Sequence, residues 1–201
     1  ALKIVMGFFA LYFIVTFLAM GIFAYKAMKK LFPESDPLQL VNSFLVVVIV
    51  VDLIFRYLMQ KLPVMNIKPM LILPIKKSKL VHYVLGKSSL SFFNFMSLFF
   101  YVPFAVVLIR EGYDVNGVLA WLFSMIVIIH ATNFLNFLIN KNNKAFWTLA
   151  VLLVGGFALK YFELFNINAL SQSVFDSIVA SPILALVPLG ILIILYIVNY
   201  K

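Results

Sequence analysis

The chain has 201 residues, of which 65% are hydrophobic and only 11% are charged, and its mean hydropathy is +1.10. Soluble domains carry about 25% charged residues, and one of this size has too little interior to hide so much apolar surface. The composition therefore excludes an ordinary soluble domain and indicates that lipid is the solvent for most side chains. The net charge of +9 is interpreted as a topology signal and as attraction to anionic lipid, not as nucleic-acid binding.

Six apolar stretches are long enough, at about 20 residues each, to cross the hydrocarbon core as helices. We therefore expect an all-α fold, a polytopic transmembrane helical bundle with about six spans in a single domain, 1–201. The chain starts at Ala1 almost directly before a span, which suggests a segment of a longer protein. The predicted spans are Ile4–Tyr25, Leu38–Met59, Leu90–Ile109, Gly117–Ile139, Ala145–Phe162 and Ser181–Tyr200.

Cations predict the orientation of these spans. With the N-terminus inside, eleven of the 16 Lys and Arg residues lie on the inner side, most of them in or beside a loop at 60–89. The opposite orientation reverses this bias, so both termini and this loop are expected in the cytoplasm, with the protein in the cell inner (plasma) membrane. An amphipathic segment at 163–180 is then expected outside, as a short interfacial or re-entrant helix pair.

Polar residues within the spans are the first candidates for function. Asp52 and Arg56 lie one helical turn apart near the inner end of the second span, where a local ion pair would neutralise both charges. A role in coupling or in a polar path is the alternative. Asn94 on the third span and His130, Asn133 and Asn136 on the fourth are expected to form hydrogen bonds between helices or to line a substrate path. No metal site is predicted, because each His lacks a nearby second ligand, and the chain contains no Cys.

The 60–89 loop is the most informative segment of the sequence. Three prolines interrupt its first half, and a helix can begin after Pro74. Four apolar residues then share one face, whereas the cations and His82 point elsewhere. Such a helix could lie on the inner membrane surface or insert into a partner's groove, or the loop could be solvated and set topology alone. The apolar face consists of Leu80, Val81, Val84 and Leu85.

One motif in this loop resembles a known family. The string Leu73-Pro74-Ile75-Lys76-Lys77-Ser78-Lys79-Leu80-Val81, with Lys87 downstream, resembles the short cytoplasmic segment between the second and third spans of the permease subunits of type-two ABC exporters. In those permeases this segment contacts the ATPase subunit. The surrounding stretch, Lys61–Met65 through Ser91–Phe95, also resembles an uncharacterised family of bacterial membrane proteins related to them. Those permeases begin with an amphipathic elbow helix, whereas only three residues precede the first span here.

The resemblance implies a permease subunit that dimerises or pairs with a second permease half and is driven by a separate ATPase. Gly86-Lys87-Ser88 does not complete a phosphate loop, because Val81 occupies the position of the required first glycine, so any ATPase must be another polypeptide. No cofactor and no catalytic residue is expected. A non-transporting membrane scaffold or assembly factor is the alternative, and a membrane enzyme is less well supported. The residues implied to dock the ATPase are Lys76, Lys77, Lys79, Leu80, Val81, Val84, Leu85 and Lys87.

Overall fold

The computed structural model describes residues 2–60, 74–141 and 143–200, and within these ranges the chain is an all-α bundle without strands. Residues 61–73, the first half of the predicted 60–89 loop, lie outside the described ranges, as does the side chain of Lys77. A short 3₁₀ helix, Pro182–Ala185, precedes the last helix. The α-helices are α1 (Leu2–Leu31), α2 (Pro37–Met59), α3 (Lys77–Ser89), α4 (Phe92–Arg110), α5 (Val115–Lys141), α6 (Asn143–Tyr161), α7 (Ile167–Ala180) and α8 (Leu186–Tyr200).

Five helices in the described ranges are long and apolar enough to cross a membrane. They are Gly7–Leu31, Pro37–Met59, Phe92–Arg110, Val115–Asn140 and Pro182–Tyr200. The remaining predicted span falls on α6, whose apolar part, Ala150–Tyr161, is shorter than these five. The expected polytopic helical fold is therefore confirmed, and the count of six spans stays a prediction.

The start of α2 is fixed by local chemistry. Pro37 occupies the first helical position, and the Asp36 carboxylate accepts a hydrogen bond from the Gln39 backbone N–H at 3.0 Å. The Tyr113 hydroxyl donates to the other Asp36 oxygen at 2.5 Å, so the turn between α4 and α5 is tied to this cap. Burial, this hydrogen bond and the charge of Asp36 raise the pKa of Tyr113, which keeps the hydroxyl protonated as a donor.

The main core lies between α2, α4, α5 and α7, where Trp121, Phe104 and Leu108 are fully buried. The outer surfaces of α1, α6 and α8 carry exposed aromatic and aliphatic side chains, as expected for helices that face lipid. α1 packs mainly on α4 through Gly21. A Cβ atom at Gly21 would lie 2.5 Å from the Phe100 carbonyl oxygen and 2.6 Å from the Pro103 Cγ, so glycine is what allows the two helices to approach this closely.

The predicted amphipathic segment at 163–180 contains α7, which packs against α2 and α5. Ser171, Phe175 and Ile178 form its buried face. Gly117 at the start of α5 leaves room for it, because a Cβ there would lie 2.5 Å from the Val179 carbonyl oxygen. The segment therefore forms one packed helix instead of the expected helix pair, and its interfacial or re-entrant placement stays a prediction.

α3 lies against α5 and α8, at the end of the bundle where α2 and α5 finish and α4 begins. We call this the α3 end. Val84 and Leu85 pack there against Phe134 and Phe137, with Leu195 at the edge of the cluster. The predicted helix after Pro74 is thus present, and its apolar stripe faces the protein itself.

Candidate functional site

A buried ion pair stands at the centre of the α3 end. The Arg56 Nε donates to the Asp52 Oδ2 at 2.6 Å, and the two side chains are 0% and 20% exposed. The Thr132 hydroxyl reaches the same carboxylate oxygen at 3.4 Å. The predicted pairing of Asp52 with Arg56 is confirmed, and the pair joins α2 to α5.

Arg56 also reaches α4. Its Nη1 donates to the Asn94 Oδ1 at 2.6 Å, and its Nη2 donates to the Phe93 carbonyl at 3.3 Å. The Asn94 Nδ2 in turn donates to the carbonyls of Ser88 and Ser89, at 3.2 and 2.8 Å. These carbonyls belong to the last turn of α3, and the Ser88 carbonyl also accepts from the Ser91 N–H at 3.0 Å. Asn94 therefore connects the charged pair to the C-terminus of α3.

A chain of amides continues from α3 to α5. The Asn133 Nδ2 donates to the Ser88 hydroxyl at 2.9 Å, and the Asn133 Oδ1 accepts from the Gln60 Nε2 at 2.9 Å. The Asn136 Nδ2 donates to the Gln60 Oε1 at 3.3 Å, and the Asn140 Nδ2 donates to the Asn136 Oδ1 at 2.9 Å. The predicted hydrogen bonding between helices is confirmed for Asn94, Asn133 and Asn136.

We call this set the polar network: Asp52, Arg56, Gln60, Ser88, Ser89, Asn94, Thr132, Asn133, Asn136 and Asn140. It links α2, α3, α4 and α5 through hydrogen-bonded groups, most of them buried, which in a low-dielectric interior are costly unless they are satisfied. Sequence reasoning missed Gln60 and Ser88. Gln60 follows directly on the apolar run of α2, and Ser88 was considered only as part of an incomplete phosphate loop.

His130 stands apart from the polar network. Its ring is half-buried, and its Nδ1 is buried without a hydrogen-bond partner among the described residues. The expectation that His130 bonds across helices together with Asn133 and Asn136 is therefore not met at this nitrogen. No group of three or more His, Cys, Asp or Glu residues in the described ranges could hold a metal ion.

The predicted docking face needs a correction. Leu80, Val84 and Leu85 are 6%, 5% and 3% exposed, and Val81 is half-buried against α8 and α5. An apolar stripe buried in the chain's own core is not free to hold a partner. The exposed side chains form the adjacent stripe, Lys76, Lys79, Tyr83 and Lys87, with the Lys87 ammonium 5.7 Å from the centre of the Tyr83 ring.

An aromatic stack fastens α3 to the last span. His82 stacks on Tyr196 and Tyr200 of α8, with ring centroids 5.8 and 5.1 Å apart, and its Nδ1 is hydrogen-bonded to the Tyr196 hydroxyl. Nothing in the local sequence around His82 points to this contact, because its partners lie more than 100 residues along the chain. The stack therefore extends the attachment of α3 from the polar network to α8.

A second polar cluster, distant from the α3 end, holds α7 on the bundle. The Ser171 hydroxyl donates to the Asn42 carbonyl at 2.5 Å and accepts from the Val46 N–H at 3.1 Å, two backbone groups one turn apart on α2. The Asn42 side chain donates to the Asp176 carboxylate at 2.7 Å and accepts from the Trp121 Nε1 at 2.8 Å. These contacts join α2, α5 and α7.

Replacing Ser171 with alanine should destabilise the protein, because α7 loses its hydrogen bonds to the Asn42 carbonyl and the Val46 N–H of α2. A hydrogen bond contributes about 0.5–1.5 kcal/mol net, and each kcal/mol lowers the Tm of a chain this size by roughly 2–4 °C. Thermal unfolding of the purified protein measures the change. Ser177→Ala is the matched control, since Ser177 is exposed on α7 and its hydroxyl donates to the Val174 carbonyl of the same helix. Equal Tm values for the two variants would contradict the role given to Ser171.

The whole chain, residues 1–201, matches a family described as "Family of unknown function (DUF5687)". The chain belongs to the DUF5687 family. No curated protein and no solved structure gives a significant match. For this DUF5687 chain, the polar network and the exposed stripe of α3 are therefore the observations from which a function is inferred.

Proposed function

We propose that this chain is a membrane-spanning permease subunit of an ATP-driven exporter, moved by a separate ATPase that docks on α3. The observation that carries the proposal is that α3 is exposed on one side and bonded to the spans at its end. One stripe of the helix is basic and exposed, and its last turn is hydrogen-bonded to α4 and α5 through Asn94 and Asn133. A partner that binds the exposed stripe therefore acts on a helix that is fastened to the spans.

The docking surface is the exposed stripe of Lys76, Lys79, Tyr83 and Lys87. The spacing of these residues, three or four positions, places them along one side of α3. Cations at the rim guide encounter with an acidic partner surface, and the half-exposed Tyr83 ring supplies an aromatic anchor. The buried residues Leu80, Val84 and Leu85 hold α3 on the bundle instead of contacting the partner.

A few hydrogen bonds connect α3 directly to the spans, so a displacement of α3 would be passed on to them. Ser88 contacts Asn133 on α5, and Asn94 connects Ser88 and Ser89 to Arg56 on α2. Because these bonds are buried and charge-assisted at Arg56, they are stronger than exposed hydrogen bonds. We propose that displacement of α3 moves α2, α4 and α5 together and so opens a path in a dimer, or beside a second permease half.

The proposal places the α3 end, and with it both chain termini, in the cytoplasm of the cell inner membrane, because ATP is available there. The concentration of cations in 60–89 supports this orientation. Acidic residues of the opposite end, including Glu34, Asp36 and Glu111, support it as a weaker guide.

Single cysteines should report this orientation without background, since the chain has no cysteine of its own. Cysteine in place of Glu111, exposed in the turn after α4, should react with a membrane-impermeant maleimide in intact cells. Cysteine in place of Lys79, exposed on α3, should react only after the membrane is permeabilised. Reaction of both positions in intact cells, or of neither, would contradict the orientation.

Charge reversal tests the docking surface. Tagged protein purified from its native membranes should carry ATP-hydrolysing activity, and Lys79→Glu combined with Lys87→Glu should reduce this recovered activity at least tenfold. The loss should be larger in low salt, because exposed charges are screened as ionic strength rises. Lys26→Glu with Lys30→Glu, two exposed cations at the other end of the bundle, is the matched control.

The same measurement separates the transporter from a scaffold. A scaffold or assembly factor predicts that no ATP hydrolysis is recovered with the natural protein. Recovery that is unchanged by the α3 reversal, or lost equally in the control, would show that α3 is not the docking site. Each variant is checked for folding by gel filtration and Tm before its recovered activity is compared.

A further inference from the structure

The carboxylate of Asp52 retains an unused acceptor. Its Oδ2 accepts from Arg56 and lies 3.4 Å from the Thr132 hydroxyl, whereas its Oδ1 has no partner in the described part of the chain. Two hydroxyls one turn apart on α4, those of Ser97 and Tyr101, also make no hydrogen bond with any described residue. The Tyr101 side chain is only 7% exposed.

These groups border one small cavity. Asp52, Ser97, Tyr101 and Thr132 contribute its polar wall, and its volume is about 20 Å³. A space of roughly 10–15 Å³ by this measure is enough for one water-sized group with two to four polar partners. The cavity therefore has room and hydrogen-bonding capacity for a single oxygen or nitrogen atom.

A much larger apolar groove adjoins the cavity. It lies between α1, α2 and α4, has a volume of about 560 Å³, and shares Val48, Ser97 and Tyr101 with the small cavity. Met20 and Phe44, on its rim, are about half exposed, so the groove opens sideways at the surface that faces lipid. Its size falls within the roughly 300–1,000 Å³ of pockets that bind small molecules.

We propose that this groove and cavity together bind an amphiphile with a long apolar body and a single hydroxyl head. The body lies in the α1–α2–α4 groove, and the hydroxyl enters the cavity beside Asp52. There it donates to the Asp52 Oδ1 and accepts from both the Tyr101 and the Ser97 hydroxyls, since a hydroxyl oxygen can accept two hydrogen bonds. The three otherwise unpartnered groups that line the cavity thereby gain a ligand of matching chemistry.

The head is neutral because the site is already balanced in charge. Asp52 and Arg56 form a buried ion pair, so an ammonium head would leave a net positive charge within the hydrocarbon region. A carboxylate head would be repelled by Asp52 at close range. A hydroxyl both donates and accepts without adding charge.

A second groove competes for the apolar body. It lies between α2, α5, α7 and α8, has a volume of about 390 Å³, and meets the cavity at Ile49, Ile128 and Thr132. Its polar residue at that junction, Thr132, already donates to the Ile129 carbonyl at 2.9 Å. The α1–α2–α4 groove is favoured because both unpartnered hydroxyls line it as well as the cavity.

Native mass spectrometry of the purified protein in detergent tests the chemistry of the ligand's head group. The probes are 1-hexadecanol, its methyl ether, hexadecylamine and palmitate, which share a chain and differ at one end. 1-Hexadecanol should be retained about tenfold better than the ether, which cannot donate to Asp52. Equal retention of alcohol and ether would overturn the proposal in favour of water alone in the cavity. Preferred retention of the amine or of palmitate would contradict the proposal that the head group is neutral.

Variants test the position of the ligand. Ser97→Ala and Tyr101→Phe should each reduce retention of 1-hexadecanol several-fold, because the head loses a donor. Ser124→Ala is the control, because this buried hydroxyl on α5 lies outside the cavity and donates to the Ala120 carbonyl of its own helix. Equal effects of Ser97→Ala and Ser124→Ala would count against the site.

Bulky substitutions test which groove holds the body. Met20→Trp should block retention by filling the α1–α2–α4 groove, whereas Ile22→Trp, on α1 outside the groove, should not. Loss with Ile191→Trp in the second groove, and not with Met20→Trp, would overturn the groove assignment. No ATPase takes part in these measurements, so their failure is distinct from failure of the proposed function.

Discussion

Arg56→Ala should leave little folded protein. The substitution strands the Asp52 carboxylate inside the bundle and removes the donors to Asn94 and to the Phe93 carbonyl. Breaking a buried ion pair by deleting one partner costs about 3–5 kcal/mol, because an uncompensated charge remains. Since α3 is attached through Asn94, its end of the bundle should loosen as well. The fraction of monodisperse protein on gel filtration and the Tm in detergent measure the loss.

Two further variants separate the charge from the bulk of the side chain. Asp52→Asn combined with Arg56→Gln removes both charges and keeps groups that hydrogen-bond, so it should be better tolerated than Arg56→Ala alone. Arg110→Ala, at the exposed end of α4, should have little effect on either measurement. A double variant that is clearly less stable than the single one would refute the pairing.

Val84→Asp should be the most damaging change on α3. Val84 is 5% exposed and packs with Leu85, Phe134 and Phe137, so a carboxylate there is buried without a partner. Such a change costs several kcal/mol and belongs to the most destabilising class of point mutations. Thermal unfolding should therefore show a large fall in Tm, with α3 detached from α5 and α8.

Tyr83→Asp is the matched control, because it introduces the same charge one residue away on an exposed position. Tyr83 is 47% exposed, and its Tm should stay close to that of the natural protein. The proposed docking surface would nevertheless be damaged, so recovery of ATP hydrolysis should fall in a folded protein. Equal Tm values for Val84→Asp and Tyr83→Asp would contradict the buried orientation of α3.

Local spacing made several features predictable from the sequence. Asp52 and Arg56 lie four residues apart, so their contact follows from helix geometry alone. The helix after Pro74 and the amphipathic character of α7 also follow from residues that are close along the chain. The membrane spans follow from composition, because a run of about 20 apolar residues leaves few alternatives.

Long-range partners could not be predicted in this way. An apolar stripe on α3 looks the same whether it covers the chain's own α5 and α8 or a separate protein, so Leu80, Val84 and Leu85 were assigned to the wrong surface. The partners of Arg56 and of Ser171 lie 38 and 129 residues away, at Asn94 and Asn42. Only the packing of the helices brings these groups together.

Gly21 influences the width of the groove between α1, α2 and α4. The residue does not line the groove, yet its contact with Phe100 and Pro103 sets how far α1 stands from α4. A larger residue at this position would push α1 away from α4 and carry the α1 side chains that line the groove with it. In the proposed binding mode, this crossing point therefore sets the width available to the apolar body, separately from the hydroxyls that contact its head.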